Sequence, residues 1–98
     1  MAENLNLVEQ IRKTELLKSE IIYQTGSLYK SMVEGDSMRD ISNVLSKLII
    51  DIYQLGDFIG VSPSNLEQSI IENISKDNDI NQTVANYLLK GKKTGKEF

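Results

Sequence analysis

Residues 41–74 read ISNVLSKLIIDIYQLGDFIGVSPSNLEQSIIENI, and this stretch decides the fold. A long apolar helical pattern, starting at about residue 38, ends at Ile59-Gly60-Val61. Ser62-Pro63-Ser64 then has the order of a cap, a first-turn proline and a polar first turn. A second amphipathic pattern covers about residues 64–74. The first of these two predicted helices is apolar over most of its circumference, so we expect it to be the buried central helix.

Helical patterns also occur on both sides of this stretch. Apolar residues recur at helical spacing over about residues 5–33, with a slip in phase near Lys13 and Thr14 that leaves a bend there open. Gly35 is suited to the left-handed end of that helix. Ser37 and Asp40 have the spacing of a capping box at the start of the next helix.

A short fourth helix is predicted over about residues 80–90, with Gly91 as its end. The lysine-rich residues 91–98 are predicted to be a disordered tail. We therefore expect an all-α, antiparallel bundle of about four helices in a domain of residues 1–90. A chain of 98 residues has a small core, so we expect oligomerisation to complete the bundle.

The composition excludes several classes of function. The chain has no cysteine and no histidine, which rules out disulfides, thiolate zinc sites and Ser-His-Asp or Cys-His catalysis. Any catalysis would rest on carboxylates, lysine, tyrosine or a carboxylate-bound cation. The N-terminal MAENLNLVEQ is too polar for a signal peptide, and the longest apolar run is Leu48-Ile49-Ile50. We expect a cytoplasmic protein without a membrane segment.

The net charge of −3 combines an acidic body with a basic end. The last nine residues, from Lys90, carry four lysines and one glutamate. An acidic body argues against nucleic-acid binding. The many Ile, Asn and Lys residues are typical of a low-GC bacterium or its phage.

Two stretches resemble the MazG-like family of all-α proteins. Ile21 to Asp36, IIYQTGSLYKSMVEGD, resembles the family's carboxylate-rich helix at Gly26, Leu28 and the closing Gly-Asp. Leu45 to Leu66, LSKLIIDIYQLGDFIGVSPSNL, resembles its second metal helix and the turn that follows. The resemblance covers about residues 5–75. It implies a homodimer or homotetramer whose first two helices form most of the interface. Active members cleave nucleoside triphosphates to monophosphate and pyrophosphate with magnesium.

This chain departs from the active members at the metal positions. Tyr23, Gln24 and Ser27 stand where the resemblance expects glutamates in the first helix, and Val44 and Lys47 stand where it expects carboxylates in the second. Magnesium requires hard oxygen ligands, usually carboxylates. The resemblance is therefore to a catalytically degenerate branch, and we expect no metal site, no cofactor and no pyrophosphatase activity.

The candidate ligand site is built around Lys47, which lies four residues before Asp51 on one helix. One interpretation is a plain helix-surface ion pair between the two. The other is that Lys47 replaces the metal and attracts phosphate as a point charge. Tyr23, Gln24 and Ser27 would then donate hydrogen bonds.

In the same site, Tyr53 would pack on a nucleotide base. Three functions stay open. The first is a non-catalytic protein that binds or sequesters a nucleotide or nucleotide-derived signal. The second is a protein-interaction module that inhibits or adapts a partner. The third is a residual nucleoside triphosphate pyrophosphatase.

Overall fold

The computed structural model describes the backbone of residues 2–96 and the side chains of residues 6–90. Four α-helices follow one another: α1 (Ala2–Glu34), α2 (Met38–Ile59), α3 (Pro63–Lys76) and α4 (Gln82–Lys96). The described backbone contains no strand, which confirms the all-α prediction. The chain divides into two compact units, residues 1–63 and residues 64–98.

The first unit is an antiparallel hairpin of α1 and α2. Gly35 adopts a φ of 72°, and the Asp36 N–H donates to the Ser31 carbonyl over 3.0 Å, which closes the left-handed end of α1. The Ser37 hydroxyl then accepts from the Asp40 N–H over 3.2 Å. Both predicted end signals are confirmed, and a two-helix hairpin results because the connection is so short.

A second turn of the same kind ends α2. Gly60 has a φ of 101°, and the Val61 N–H donates to the Gly56 carbonyl over 2.7 Å. The next helix begins at Pro63, at the position where a missing N–H costs nothing. The glycine stop and proline start predicted from residues 59–64 are therefore confirmed.

The contact between α1 and α2 follows a regular seam. The seam positions in α1 are separated alternately by four and three residues: Gln10, Thr14, Leu17, Ile21, Gln24, Leu28 and Ser31. Those in α2 are separated alternately by three and four residues: Ile41, Val44, Leu48, Asp51, Leu55 and Phe58. All are at least partly buried except Gln10, whose amide donates to the Phe58 carbonyl over 2.8 Å. This average spacing of about 3.5 residues is that of coiled-coil packing.

The seam also explains the phase slip near Lys13. Helix α1 is continuous from Ala2 to Glu34, so the helix does not break there. Gln10 and Thr14 are seam residues despite being polar, and the Thr14 hydroxyl donates to the Gln10 carbonyl over 2.8 Å. The apolar residues near them belong to a different stripe of the same helix.

The prediction that α2 is a buried central helix is wrong for this chain. No residue of α2 is buried, and Ile49 and Ile50 are each more than half exposed. Only one stripe of α2 lies on α1. An apolar pattern around most of a helix does not show how many of the helices that pack on it belong to the same chain.

The second unit contains α3 and α4. The Asp77 carboxylate accepts from the Asp79 N–H over 2.9 Å in the connection, and the Asn81 side chain accepts from the Thr83 N–H over 2.7 Å. Asn81 is therefore the cap of α4, and the predicted start at Ile80 is two residues early. The predicted end at Gly91 is wrong, because the helical backbone continues to Lys96. The side chains of the tail lie outside the described residues, so its disorder stays a prediction.

Candidate functional site

The α1–α2 hairpin has two faces of opposite character. A helix turns by about 100° per residue, and in an antiparallel pair residues displaced in the same sense from the seam lie on the same side. One side, the apolar face, carries ten exposed apolar residues: Leu7, Ile11, Ile22, Tyr29, Met32, Met38, Leu45, Ile49, Ile52 and Ile59. The other side is the polar face.

Surface pockets agree with this assignment. A pocket of about 360 Å³ on the apolar face is lined by Ile11, Glu15 and Lys18 from α1 and by Ile59 from α2, among others. A pocket of about 440 Å³ on the polar face is lined by residues that include Asn6, Glu9, Lys13 and Asp57. The two helices therefore contribute to both faces, and each face is a groove between them.

Four of the predicted site residues share the polar face. They are Gln24 and Ser27 on α1, and Lys47 and Asp51 on α2. Because the connection is centred near Asp36, residues equally far from it in sequence lie at the same level of the hairpin. Gln24 is thus level with Leu48, beside Lys47. The hairpin brings these positions together although they are distant in sequence.

Gln24 is the most buried polar side chain described, at 7% exposure. Its amide nitrogen donates to the Glu20 carboxylate over 2.8 Å, one turn earlier on the same helix. Its position in the seam makes packing against α2 its first role. The bound Glu20 carboxylate brings a second acidic group to this face, in addition to Asp51.

Lys47 is exposed on the polar face, and Asp51 is half-buried at the edge of the seam. Among the described side chains, no ion pair links Lys47 to Asp51. An ion pair does join Glu15 to Lys18 on the other side of the hairpin, with 2.7 Å between the charged atoms. The interpretation of Lys47 and Asp51 as an ion pair is therefore not supported by their geometry.

The two tyrosines of the predicted site lie further from the seam than this group, although Tyr23 is one turn before Ser27 on α1. Tyr23 is 67% exposed on the outer flank of α1. Tyr53 follows Lys47 by six residues, which turns it about 120° away around α2. It lines a pocket that shares Asp57 and Phe58 with the pocket on the polar face. A base stacked on Tyr53 would therefore lie at the outer edge of the polar face, beyond Gln54, and not beside Lys47.

An interface on the first two helices was predicted, but the residues of the apolar face were not named in advance. Its signal was present in the sequence, because α2 carries more apolar residues than one seam needs. In the part of the chain with described side chains, no group of three or more acidic residues is placed to hold a metal ion. Of the described helices, none is long and apolar enough to cross a bilayer.

The sequence model of the MazG-like family matches residues 7–87, which includes both units of the chain. No curated protein and no solved structure gives a significant match.

Proposed function

Because this chain belongs to the MazG-like family, we propose that it is a small, non-catalytic binding or regulatory protein. Its ligand is a nucleotide, or a signal derived from one, held on the polar face of the α1–α2 hairpin. The observation that carries this proposal is that two positions where the resemblance expects carboxylates hold residues that pack between the helices. Gln24 and Val44 both lie in the seam, where they serve packing between the helices.

The loss of hydrolysis follows from these positions. A magnesium ion that bridges phosphates needs several carboxylate oxygens directed at one point. Here Gln24 presents a neutral amide already bonded to Glu20, and Val44 presents a hydrocarbon. Tyr23 and Ser27 complete a first helix without acidic groups at the remaining positions.

Lys47 is the group proposed to bind phosphate. It is exposed and lies on the same face as Ser27. An ammonium group binds phosphate as a point charge, with a hydroxyl as a supporting donor. Glu20 and Asp51 share this face and oppose the approach of an anion. We therefore expect a preference for ligands with few negative charges, such as monophosphates, over triphosphates.

Calorimetry with a panel of nucleoside mono-, di- and triphosphates, with and without magnesium, tests the proposal. We expect binding without magnesium that is lost in Lys47→Ala. Lys13→Ala is the matched control, because Lys13 is an exposed lysine on the same face, about twelve residues of helix away from the level of Lys47. Failure of every nucleotide to bind wild type would overturn the proposal. Release of pyrophosphate only with magnesium would instead support the residual pyrophosphatase.

A second candidate, assembly and partner binding, is favoured by the apolar face. Ile11 and Ile22 are 56% and 73% exposed on α1, and Ile59 is 61% exposed on α2. Contiguous apolar surface on this scale is typical of interaction sites. We propose that the chain forms a homodimer or homotetramer through this face.

Leu16, Tyr23 and Ile50 are also exposed, on the opposite flank, and they are the surface we propose for a different protein partner. Sedimentation velocity over a hundredfold range of concentration tests self-association. A sedimenting mass of one chain at every concentration would refute it. A nucleotide ligand and this assembly are both compatible with a cytoplasmic location, which we propose on the same grounds.

A further inference from the structure

We infer the geometry of the homodimer: α1 of each chain lies antiparallel to the partner's α1, with Glu15 of each chain against Lys18 of the other. This inference rests on the assembly proposed above. The observation behind it is an ion pair in the middle of an otherwise apolar stripe. Along α1 the apolar face reads Leu7, Ile11, then Glu15 and Lys18, then Ile22.

The charged pair restricts how a second copy can dock. Glu15 and Lys18 are joined over 2.7 Å while their side chains are 62% and 56% exposed. In water such a pair contributes little to stability, at most about 1 kcal/mol. An apolar partner surface over this ion pair would remove water from both charges and offer no polar contact in its place, which costs free energy. A partner that presents the opposite charges at the same place avoids that cost.

The stripe on α1 is self-complementary about a point between Leu16 and Leu17. A two-fold axis there places Ile11 opposite the partner's Ile22, and Glu15 opposite the partner's Lys18. Each acidic group then contacts two ammonium groups, one from each chain. A two-fold interface requires this kind of reciprocal pairing, in which each residue and its contact exchange roles.

One pair on α2 is compatible with this centre. Ile52 and Ile59 on the apolar face are symmetric about a point between Leu55 and Gly56. Counting from Asp36, that point is about level with the midpoint between Leu16 and Leu17. The same axis therefore pairs Ile52 with the partner's Ile59 while it pairs the charges on α1.

The alternative two-fold axis runs parallel to the helices and places α1 on the partner's α2. At the level of Glu15 and Lys18, that arrangement presents Ile52 and Ile59 of the partner. Four charges would lie against hydrocarbon, and none would meet its opposite. The antiparallel arrangement of α1 on α1 is the one in which charge and apolar surface both match.

The overlap is longer on α1 than on α2. The stretch of α1 from Leu7 to Gly26 is about 29 Å long, whereas on α2, which ends at Ile59, only residues 52–59 of each chain overlap, over about 11 Å. At about 10 Å per helix the plan area is about 400 Å², and the accessible surface of such a ridged face is larger. A standard interface buries about 800 Å² of each partner, so we expect a dimer of modest affinity.

Charge exchange tests the pairing. In E15K both positions are positive, and in K18E both are negative. We expect each variant alone to dimerise at least about tenfold more weakly than wild type, because like charges would meet across the interface. An equimolar mixture of the two should recover wild-type affinity as a heterodimer. Sedimentation equilibrium and native mass spectrometry measure both results. Glu9→Lys and Lys13→Glu are matched controls on the polar face, and neither should change dimerisation.

A second pair of variants tests the register without altering charge. The chain has no cysteine, so single cysteines report only the designed contacts. Ile11→Cys mixed with Ile22→Cys should form a disulfide-linked heterodimer, and neither should cross-link alone. Cross-linking of Ile11→Cys with Ile59→Cys between chains would instead identify the alternative axis and overturn the inference.

The outcomes separate this inference from the proposed assembly. A wild-type protein that is monomeric at every concentration overturns the assembly and the inference together. A wild-type dimer in which E15K and K18E each dimerise normally overturns the inference alone.

Discussion

Replacing Gln24 with leucine is expected to stabilise the protein by about 1 kcal/mol. Gln24 is a seam residue level with Leu48, and its one recorded bond is to the exposed Glu20 carboxylate. A buried leucine contributes about 2 kcal/mol, whereas the lost hydrogen bond contributes about 1 kcal/mol. Glu20 is left in water, so no buried group loses its partner. The seam would become continuously apolar at this level.

Urea denaturation followed by helical circular dichroism measures the effect, with both proteins at one concentration. We also expect the melting temperature to rise by about 4–8 °C. Gln54→Leu is the matched control, since Gln54 is exposed on α2 and its replacement should change stability by less than about 0.5 kcal/mol. Destabilisation of Gln24→Leu by about 1 kcal/mol or more would refute this account, because it would mean that the amide holds the hairpin together.

Three further predictions concern the helix ends, and a fourth concerns the interior of α1. Gly60→Ala should destabilise the fold by about 1–2 kcal/mol because Gly60 has a φ of 101°. Gly26→Ala should stabilise the fold by about 0.5–1 kcal/mol, because Gly26 is inside α1 and nothing lies within 4 Å of the added carbon. The same urea titration measures both changes. Ser37→Ala should cost about 1 kcal/mol through loss of the bond from the Asp40 N–H, and an unchanged midpoint would contradict that role. Asn81→Ala should likewise cost about 1 kcal/mol, detected as faster hydrogen exchange at the Thr83 amide.

Local chemistry allowed much of the fold to be predicted from the sequence. Gly35, Ser37, Gly60 and Pro63 each act within a few residues of their own position, so their effect does not depend on the rest of the fold. The missed cap at Asn81 is a failure of the same kind of reasoning, because Ile80 was counted as helical on its hydropathy. Asn81, whose side chain can accept a hydrogen bond, directly follows Ile80 and was the better signal for the start of α4.

Longer-range features were harder to predict. Hydropathy marks the apolar residues of α2 but does not distinguish those that face α1 from those that face outward. Gln24 and Thr14 were not recognised as seam residues because polar side chains carry no hydrophobic signal. Lys47 and Ser27, which were expected to lie across a groove from each other, are on one face of the hairpin because the short connection fixes the level of the two helices, and their role in binding stays a prediction. The position of Tyr53 around α2 had not been compared with that of Lys47.

The two stripes of α2 have a consequence for how uniquely the hairpin folds. The outward stripe contains Leu45, Ile49 and Ile52, whereas the seam includes the carboxylate of Asp51. Rolling α2 by about 90° about its own axis would bury the outward stripe and release Asp51 to water. The hairpin is thus frustrated, with a competing arrangement of similar hydrophobic content. A partner that covers the outward stripe removes the advantage of rolling, so the surface that binds the partner also selects the orientation of the helix that carries it.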